Sequence, residues 1–319
     1  MTSVTEQVIR DQFPYLTAAL ATPVSLPKGR PLVFVGCGTS FYLAQTLAAV
    51  ANARGHAALA VPGAEWTDSP QSYLADETGA SVVGLSRSGT TTETISALRS
   101  ARARGLDTLA ITCEPGSEIE SVSARSVSVP TDPREGIVMS VSASLMLLTG
   151  LRLLGVEITG AHVTAAQASL TALDGAAGAL VAGKRHFVTL GAGPLYGIAS
   201  EAALKMQEMS LSYSQAFHPL EYRHGPISLI DSGSLVTILY GTATAEAEAR
   251  VCADVRSKGA TVIGMGGPGD VTIPVDAAGP AAALVMLPAL QLMGEKVALS
   301  KGLDTETPRH LTKVVVLEG

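Results

Sequence analysis

Cysteine is scarce in this chain, with Cys37, Cys113 and Cys252 the only three among 319 residues. They are odd in number and far apart, which excludes a disulfide framework and the paired spacing of a zinc site; a reducing, cytoplasmic setting is expected. A basic excess is missing as well. Lys and Arg total 22 against 28 Asp and Glu, a formal net charge of −6. No bulk field draws nucleic acid to such a chain, so an anionic ligand has to be held locally. The N-terminus has no basic stretch followed by an apolar core, and no signal peptide is expected. The most apolar stretch, residues 136–151, ends at Arg152 and is too short and too rich in Ser and Gly for a membrane span. It reads as a buried helix, and no membrane partner is expected.

What is present is ample apolar material. At 47% hydrophobic content the chain can bury a large core, and its length suggests two domains. Residues 4–20 read as one leading amphipathic helix and 22–28, with two prolines, as a linker. Then a buried strand at 31–35 (PLVFV) gives way to a glycine and hydroxyl turn (GCGTS, 36–40) and a helix at 41–54. Strands follow at 56–61, 80–85, 108–112 and 126–129, with a loop through Glu65, Trp66 and Pro70. This alternation predicts an α/β fold, a parallel sheet covered on both faces, with ligands beyond the C-terminal ends of its strands.

The turn at 86–93 (SRSGTTTE) organises the rest. An apolar run breaks there into hydroxylated residues and a glycine, then continues into a helical pattern at 94–104. The first amides of a helix lack partners within it and face outward along the positive end of its dipole. Ser86, Ser88, Thr90, Thr91 and Thr92 can donate to phosphate oxygens, Gly89 permits close backbone approach, and Arg87 adds charge. Simple helix capping needs only one such residue, so the surplus favours phosphate. In the earlier turn, Gly36 and Gly38 suggest a dinucleotide fingerprint, but its third glycine would fall at Phe41, which argues against a nicotinamide cofactor. Thr39 and Ser40, each taken alone, read as caps.

The first half is echoed about 155 positions later: residues 34–38 by 188–193, and 82–86 by 237–241. The second copy reads GTATA where the first reads SRSGT, so only the first should hold phosphate. Residues 136–156 would join the halves by a helix whose apolar face could meet a second subunit.

Ionisable residues gather in two places. Glu201, Lys205 and Glu208 fall at i, i+4 and i+7 on one face of an otherwise apolar helix, a costly arrangement unless it serves a purpose. The alternative is an exposed ion pair of little consequence. Downstream, Glu221, Tyr222, Arg223 and His224 precede a Gly-Pro break, which singles out His224; His186, His218 and His310 read as structural. Near the end, Lys313 precedes an apolar run, 314–317, that could hold it against a site.

Taken together, the GCGTS turn, the S-x-S-G loop, the E-x-x-x-K-x-x-E helix, the H-G-P loop and the P-R-x-L-x-K tail resemble the double sugar-isomerase (SIS) domain family from about residue 30 onward. This is the family of the isomerase half of glucosamine-6-phosphate synthase and of stand-alone phosphosugar isomerases and deaminases. The resemblance implies two doubly wound, flavodoxin-like subdomains in tandem: an N-terminal helix and linker (1–29), a phosphate-binding domain (30–157), a second domain (158–303) and a tail (304–319). It assigns sugar and phosphate contacts to Cys37, Gly38, Thr39, Ser40, Ser86, Arg87, Ser88, Gly89 and Thr91. Glu208 matches the base that moves a proton between C1 and C2, and His224 the residue that opens the sugar ring, supplied across a homodimer interface. Glu201 and Lys205 match supporting residues, and Lys313 the tail lysine of the open-chain sugar. Neither metal nor organic cofactor is implied. The chain departs from the synthase pattern at Arg87, at Thr90 and at residues 139–141. Only about thirty residues precede the first strand and there is no N-terminal cysteine, so no glutamine-hydrolysing domain is expected. The expected reaction is deamination of glucosamine 6-phosphate to fructose 6-phosphate and ammonia. Neutral aldose–ketose isomerisation, removal of an amine from a sugar-phosphate adduct, and non-catalytic sensing are the alternatives.

Overall fold

The structure is a computed structural model that describes residues 2–314. The chain forms two compact units, one of residues 14–158 with those from 312 on, the other of residues up to 13 with 159–311.

The chain begins with two short helices, α1 (Val4–Arg10) and α2 (Phe13–Ala19), instead of one. Pro14 accounts for the break, because its ring would clash with the carbonyl four residues back, that of Arg10. The unit holding residues 14–158 continues with β1 (Leu32–Gly36), α3 (Thr39–Ala53), β2 (Ala58–Pro62), α4 (Gly63–Asp68), β3 (Ser81–Ser86), α5 (Thr92–Ala103), β4 (Asp107–Thr112), α6 (Glu118–Val122), β5 (Arg125–Ser128) and α7 (Val141–Leu153). Helix α4 replaces the loop expected there. Its Trp66 is fully buried against Val33, Val35, Val61 and Leu98, and that burial holds a segment whose local signals are weak. Every residue of α7 except Arg152 is buried within this chain, so the helix leaves no apolar face for a second subunit.

The other unit adds α8 (Gly160–Val181), β6 (His186–Gly191), α9 (Pro194–Ser210), β7 (Tyr213–Phe217), β8 (Ser234–Leu239), α10 (Ala245–Ser257), β9 (Thr261–Met265), β10 (Val271–Ile273) and α11 (Ala281–Ser300). Helix α11, not residues 136–151, is long and apolar enough to cross a membrane. It is mostly buried, with α8 and α9 packed on it, so it is the core helix of its unit.

Both sheets are parallel, ordered β2-β1-β3-β4-β5 and β10-β9-β8-β6-β7. Counted within each unit, both follow the order 2-1-3-4-5, a flavodoxin-like sheet. The repeat extends to the backbone: Gly38 and Gly193, 155 positions apart, have φ/ψ of 54/−126° and 54/−125°. The order reverses between β1 and β3, so the turns after these two strands flank the crevice where such sheets bind ligands.

Helix α1 is tied to its unit by charge. The Glu6 carboxylate lies 2.6 Å from Arg10 and 2.7 Å from Lys296 on α11, and both cations also reach Asp174 on α8. Burial opposes ionisation of Glu6 and Asp174, but these two cations outweigh it and hold both carboxyls below their ordinary values. The cluster therefore stabilises the fold above those ordinary values, 4.5 and 3.8, and its contribution is lost as pH falls through the lowered ones. Glu6→Gln should cost ~1.5–3 kcal/mol at neutral pH and flatten the acid limb of stability. Urea titrations across the acid range measure both, and an unchanged acid limb would place the stabilising charges elsewhere.

Candidate functional site

In the first unit the turn after β3 is built by its own hydroxyls. Ser86 Oγ accepts from the Gly89 amide at 3.1 Å and bonds Thr91 Oγ1 at 3.1 Å, while Ser88 Oγ accepts from the Thr90 amide and hydroxyl at 3.2 and 3.0 Å. Thr91 is the N-cap of α5 but makes no side-chain cap bond, and Gly38, the N-cap of α3, has no side chain to cap with. Two helices of 12 and 15 residues thus begin without side-chain caps, beside the point where strand order reverses. That arrangement suits an anion, since neither N-cap side chain is bonded to the first amides of its helix.

Thr39 and Ser40, in the first turn of α3, are both buried. Cys37 approaches Thr94 Oγ1 at 3.9 Å, and burial together with the nearby Glu93 raises its thiol pKa, so it stays protonated. The backbone itself also requires glycine at position 89: φ is +63°, and a Cβ there would overlap Ser117. Gly89→Ala should destabilise the loop by ~1–3 kcal/mol and weaken inorganic phosphate binding. Calorimetric titration with chemical denaturation reads both, and unchanged values would mean that the loop reforms around the methyl group.

Arg87 is 7% exposed and donates to two carbonyl oxygens, Gly136 at 2.9 Å and Lys313 at 2.7 Å. Lys313 Nζ donates to the Glu135 carbonyl at 2.9 Å. The apolar run expected after Lys313 lies, from residue 315, outside the described residues. Glu135, not singled out from the sequence, is 2% exposed and accepts from the amides of Ser140 and Ser142 at 2.7 and 3.0 Å, holding the start of α7.

In the second unit α9 brings Glu201, Lys205 and Glu208 together. The Lys205 ammonium lies 3.4 Å from Glu201 and forms a short ion pair with Glu208. This is no exposed surface pair. Side-chain exposure is 0% at Glu201, 1% at Lys205 and 22% at Glu208, so of the three only Glu208 opens appreciably to solvent. Burial pulls the Lys205 pKa down, but the charges of Glu201 and Glu208 outweigh it and hold it above its ordinary value. The lysine remains an ammonium ion through neutral pH, fixed between two carboxylates.

His224 is exposed, between a single 3₁₀ turn (Glu221–Arg223) and Gly225, whose φ is 127°. Tyr222, fully buried and tilted on the Phe217 ring, anchors this loop, and burial pushes its hydroxyl up to about 12. His218 stacks on Tyr196 at 4.1 Å. The turn of the second copy is occupied from within: the buried Glu248 carboxylate accepts from the Gly241 amide at 2.9 Å and the Thr244 hydroxyl at 2.7 Å. An internal carboxylate thus meets the donors that a bound anion would need. Only long-range burial reveals it, because a helical glutamate carries no special sequence signal.

The SIS domain family matches residues 26–154. Glutamine–fructose-6-phosphate aminotransferase (isomerizing) of Halobacterium salinarum is 30% identical over 263 residues, covering 74% of this chain and 44% of that protein. The chain spans about half the length of the curated relatives it matches. The crystal structure of glucosamine-6-phosphate deaminase from Thermotoga maritima aligns with a TM-score of 0.86 at 29% identity, covering 99% of this chain and 100% of that one. Tagatose-6-phosphate ketose/aldose isomerase from Escherichia coli shares the fold, with a TM-score of 0.82 at 22% identity over 99% and 96%.

Proposed function

We propose that this chain, which belongs to the SIS-domain family of phosphosugar isomerases, deaminates an amino-sugar 6-phosphate, converting glucosamine 6-phosphate and water to fructose 6-phosphate and ammonia. The observation that carries the reading is the buried Glu201–Lys205–Glu208 array, whose outer carboxylate alone opens appreciably to solvent. The likeness to a stand-alone deaminase over its whole length supports the amino sugar as substrate.

The phosphate is held by the hydroxyls of Ser86, Ser88 and Thr91, with Thr39 and Ser40, and by the amides at the starts of α5 and α3. His224 takes the proton of the C1 hydroxyl and returns one to the ring oxygen, opening the sugar to its aldehyde. Glu208 then removes the C2 proton as O1 gains one, giving an enolamine, and delivers its proton to C1 as the amine gives one up, leaving an imine at C2 and a hydroxyl at C1. Water adds to the imine carbon and ammonia leaves, giving the ketone. Lys205 holds the Glu208 carboxylate in place, Glu201 balances the lysine charge, and Lys313 attends the open-chain sugar.

The acting form is a homodimer in which His224 serves the substrate of the partner chain. Supporting this, the segment that carries His224 displays Leu220, Leu229 and Tyr213, the last 89% exposed and on edge strand β7. The reaction proceeds in the cytoplasm.

Proton NMR with glucosamine 6-phosphate in deuterated water, coupled to an ammonia assay, tests the reading. Deuterium at C1 or C2 together with ammonia is expected. Exchange without ammonia would overturn deamination in favour of isomerisation, and neither signal from a bound ligand would overturn catalysis on this sugar.

A further inference from the structure

Arg87 stands inside the phosphate-binding turn, yet its side chain reaches elsewhere. Its backbone is fixed, the carbonyl accepting from the Cys113 amide at 3.1 Å and from Thr112 Oγ1 at 3.2 Å on β4. Its guanidinium fork joins the Gly136 and Lys313 carbonyls, while the Lys313 ammonium reaches back to the Glu135 carbonyl. Residue 313 is therefore gripped at both ends. The grip rests on firm ground, because the Glu135 carboxylate is locked by two amides and the hydroxyls of Ser140 and Thr131.

The charge balance is the informative part. Arg87 is 7% exposed, its guanidinium donates to two neutral carbonyls, and among the described residues no carboxylate pairs with it. A guanidinium cannot lose its proton, so docking the tail buries a cation that has no direct ion-pair partner among the described residues. With the tail released, water would solvate that cation. An anion in the turn that contains Arg87 offsets the burial only in the docked state, and such differential stabilisation is what shifts a two-state equilibrium. The reverse holds by reciprocity, so a docked tail tightens anion binding.

We propose that Arg87 is a positioning residue that clamps the C-terminal segment at Lys313 and couples this clamp to anion occupancy of the Ser86–Thr91 turn. The coupling rests on the phosphate reading of that turn. It makes Arg87 a link between substrate phosphate and tail lysine rather than a direct sugar contact.

Hydrogen exchange of the C-terminal peptide ending at or beyond residue 314, with and without inorganic phosphate, tests the coupling in the full-length protein. Isothermal titration of phosphate runs in parallel. In the unaltered protein, phosphate should slow tail exchange several-fold. In Arg87→Ala the tail should exchange faster and ignore phosphate, with phosphate affinity down about tenfold. Arg87→Lys keeps charge and approximate bulk but loses the planar fork, so it should also release the tail while folding normally. Phosphate binding with tail exchange indifferent to both variants would overturn the coupling alone. Absence of phosphate binding in the unaltered protein would overturn the coupling together with the reading beneath it.

Discussion

Glu208→Gln should lower kcat for C2 proton exchange and ammonia release by about 10²–10⁴-fold, with KM little changed. The carboxylate moves a proton in the transition state, whereas the amide that replaces it has almost the same shape and can still accept from Lys205. Because Lys205 keeps Glu201 as a counter-charge and can still donate to the new amide, the cost to folding should stay near that of one charge-assisted hydrogen bond, about 1.5–3 kcal/mol. The check is deuterium incorporation at C2 followed by NMR, alongside the urea midpoint of the same variant. Exchange at near-normal rate would remove Glu208 from the base role.

Lys205→Ala should be the most damaging single change to stability. It strands Glu201, which is fully buried, without its cation, at a cost of about 3–5 kcal/mol. The raised pKa of Lys205 works in the same sense: the charged lysine contributes fully below its ordinary value of 10.5, and that contribution fades only as pH rises through the raised value in the folded protein. At neutral pH the whole effect is therefore present. A paired replacement, Glu201→Leu with Lys205→Met, removes both charges and should recover most of the loss, since apolar residues of similar volume often replace a buried ion pair without penalty. Activity should not return with it, because Glu208 has lost the ammonium that orients it. Urea unfolding at constant m-value reads the stability, and an ammonia assay reads the function. If the double variant regained turnover, the array would be structural, and the proton-transfer role would have to move elsewhere.

Much of this was legible in the sequence because it depends on short-range pattern. Strand–turn–helix junctions at residues 31–54 and 80–104 announce themselves through apolar runs that stop at Gly, Ser and Thr. The spacing of Glu201, Lys205 and Glu208 fixes a shared helical face wherever that helix lies. Less legible were elements held by partners distant in sequence. Helix α4 forms because Trp66 finds a pocket among β1, β2 and α5 residues, and α11 is apolar almost all round because it is enclosed. The break between α1 and α2 could have been read from Pro14, since a proline so placed has no N–H to donate to the carbonyl four residues back and its ring clashes with that carbonyl.

The sequence by itself determined the two-fold repeat, the α/β class, the hydroxyl-rich turn after β3 and the charged face of α9, since periodicity and glycine placement act over a few residues. Tertiary structure alone decided what those residues do with their neighbours. It buried Lys205 and left Glu208 partly open, it filled the second copy's turn with Glu248, and it carried Arg87 to carbonyls 49 and 226 positions away. The reason is physical: solvation and pairing of a charge depend on what folds around it, and that environment is assembled from segments whose order in the chain does not encode their proximity.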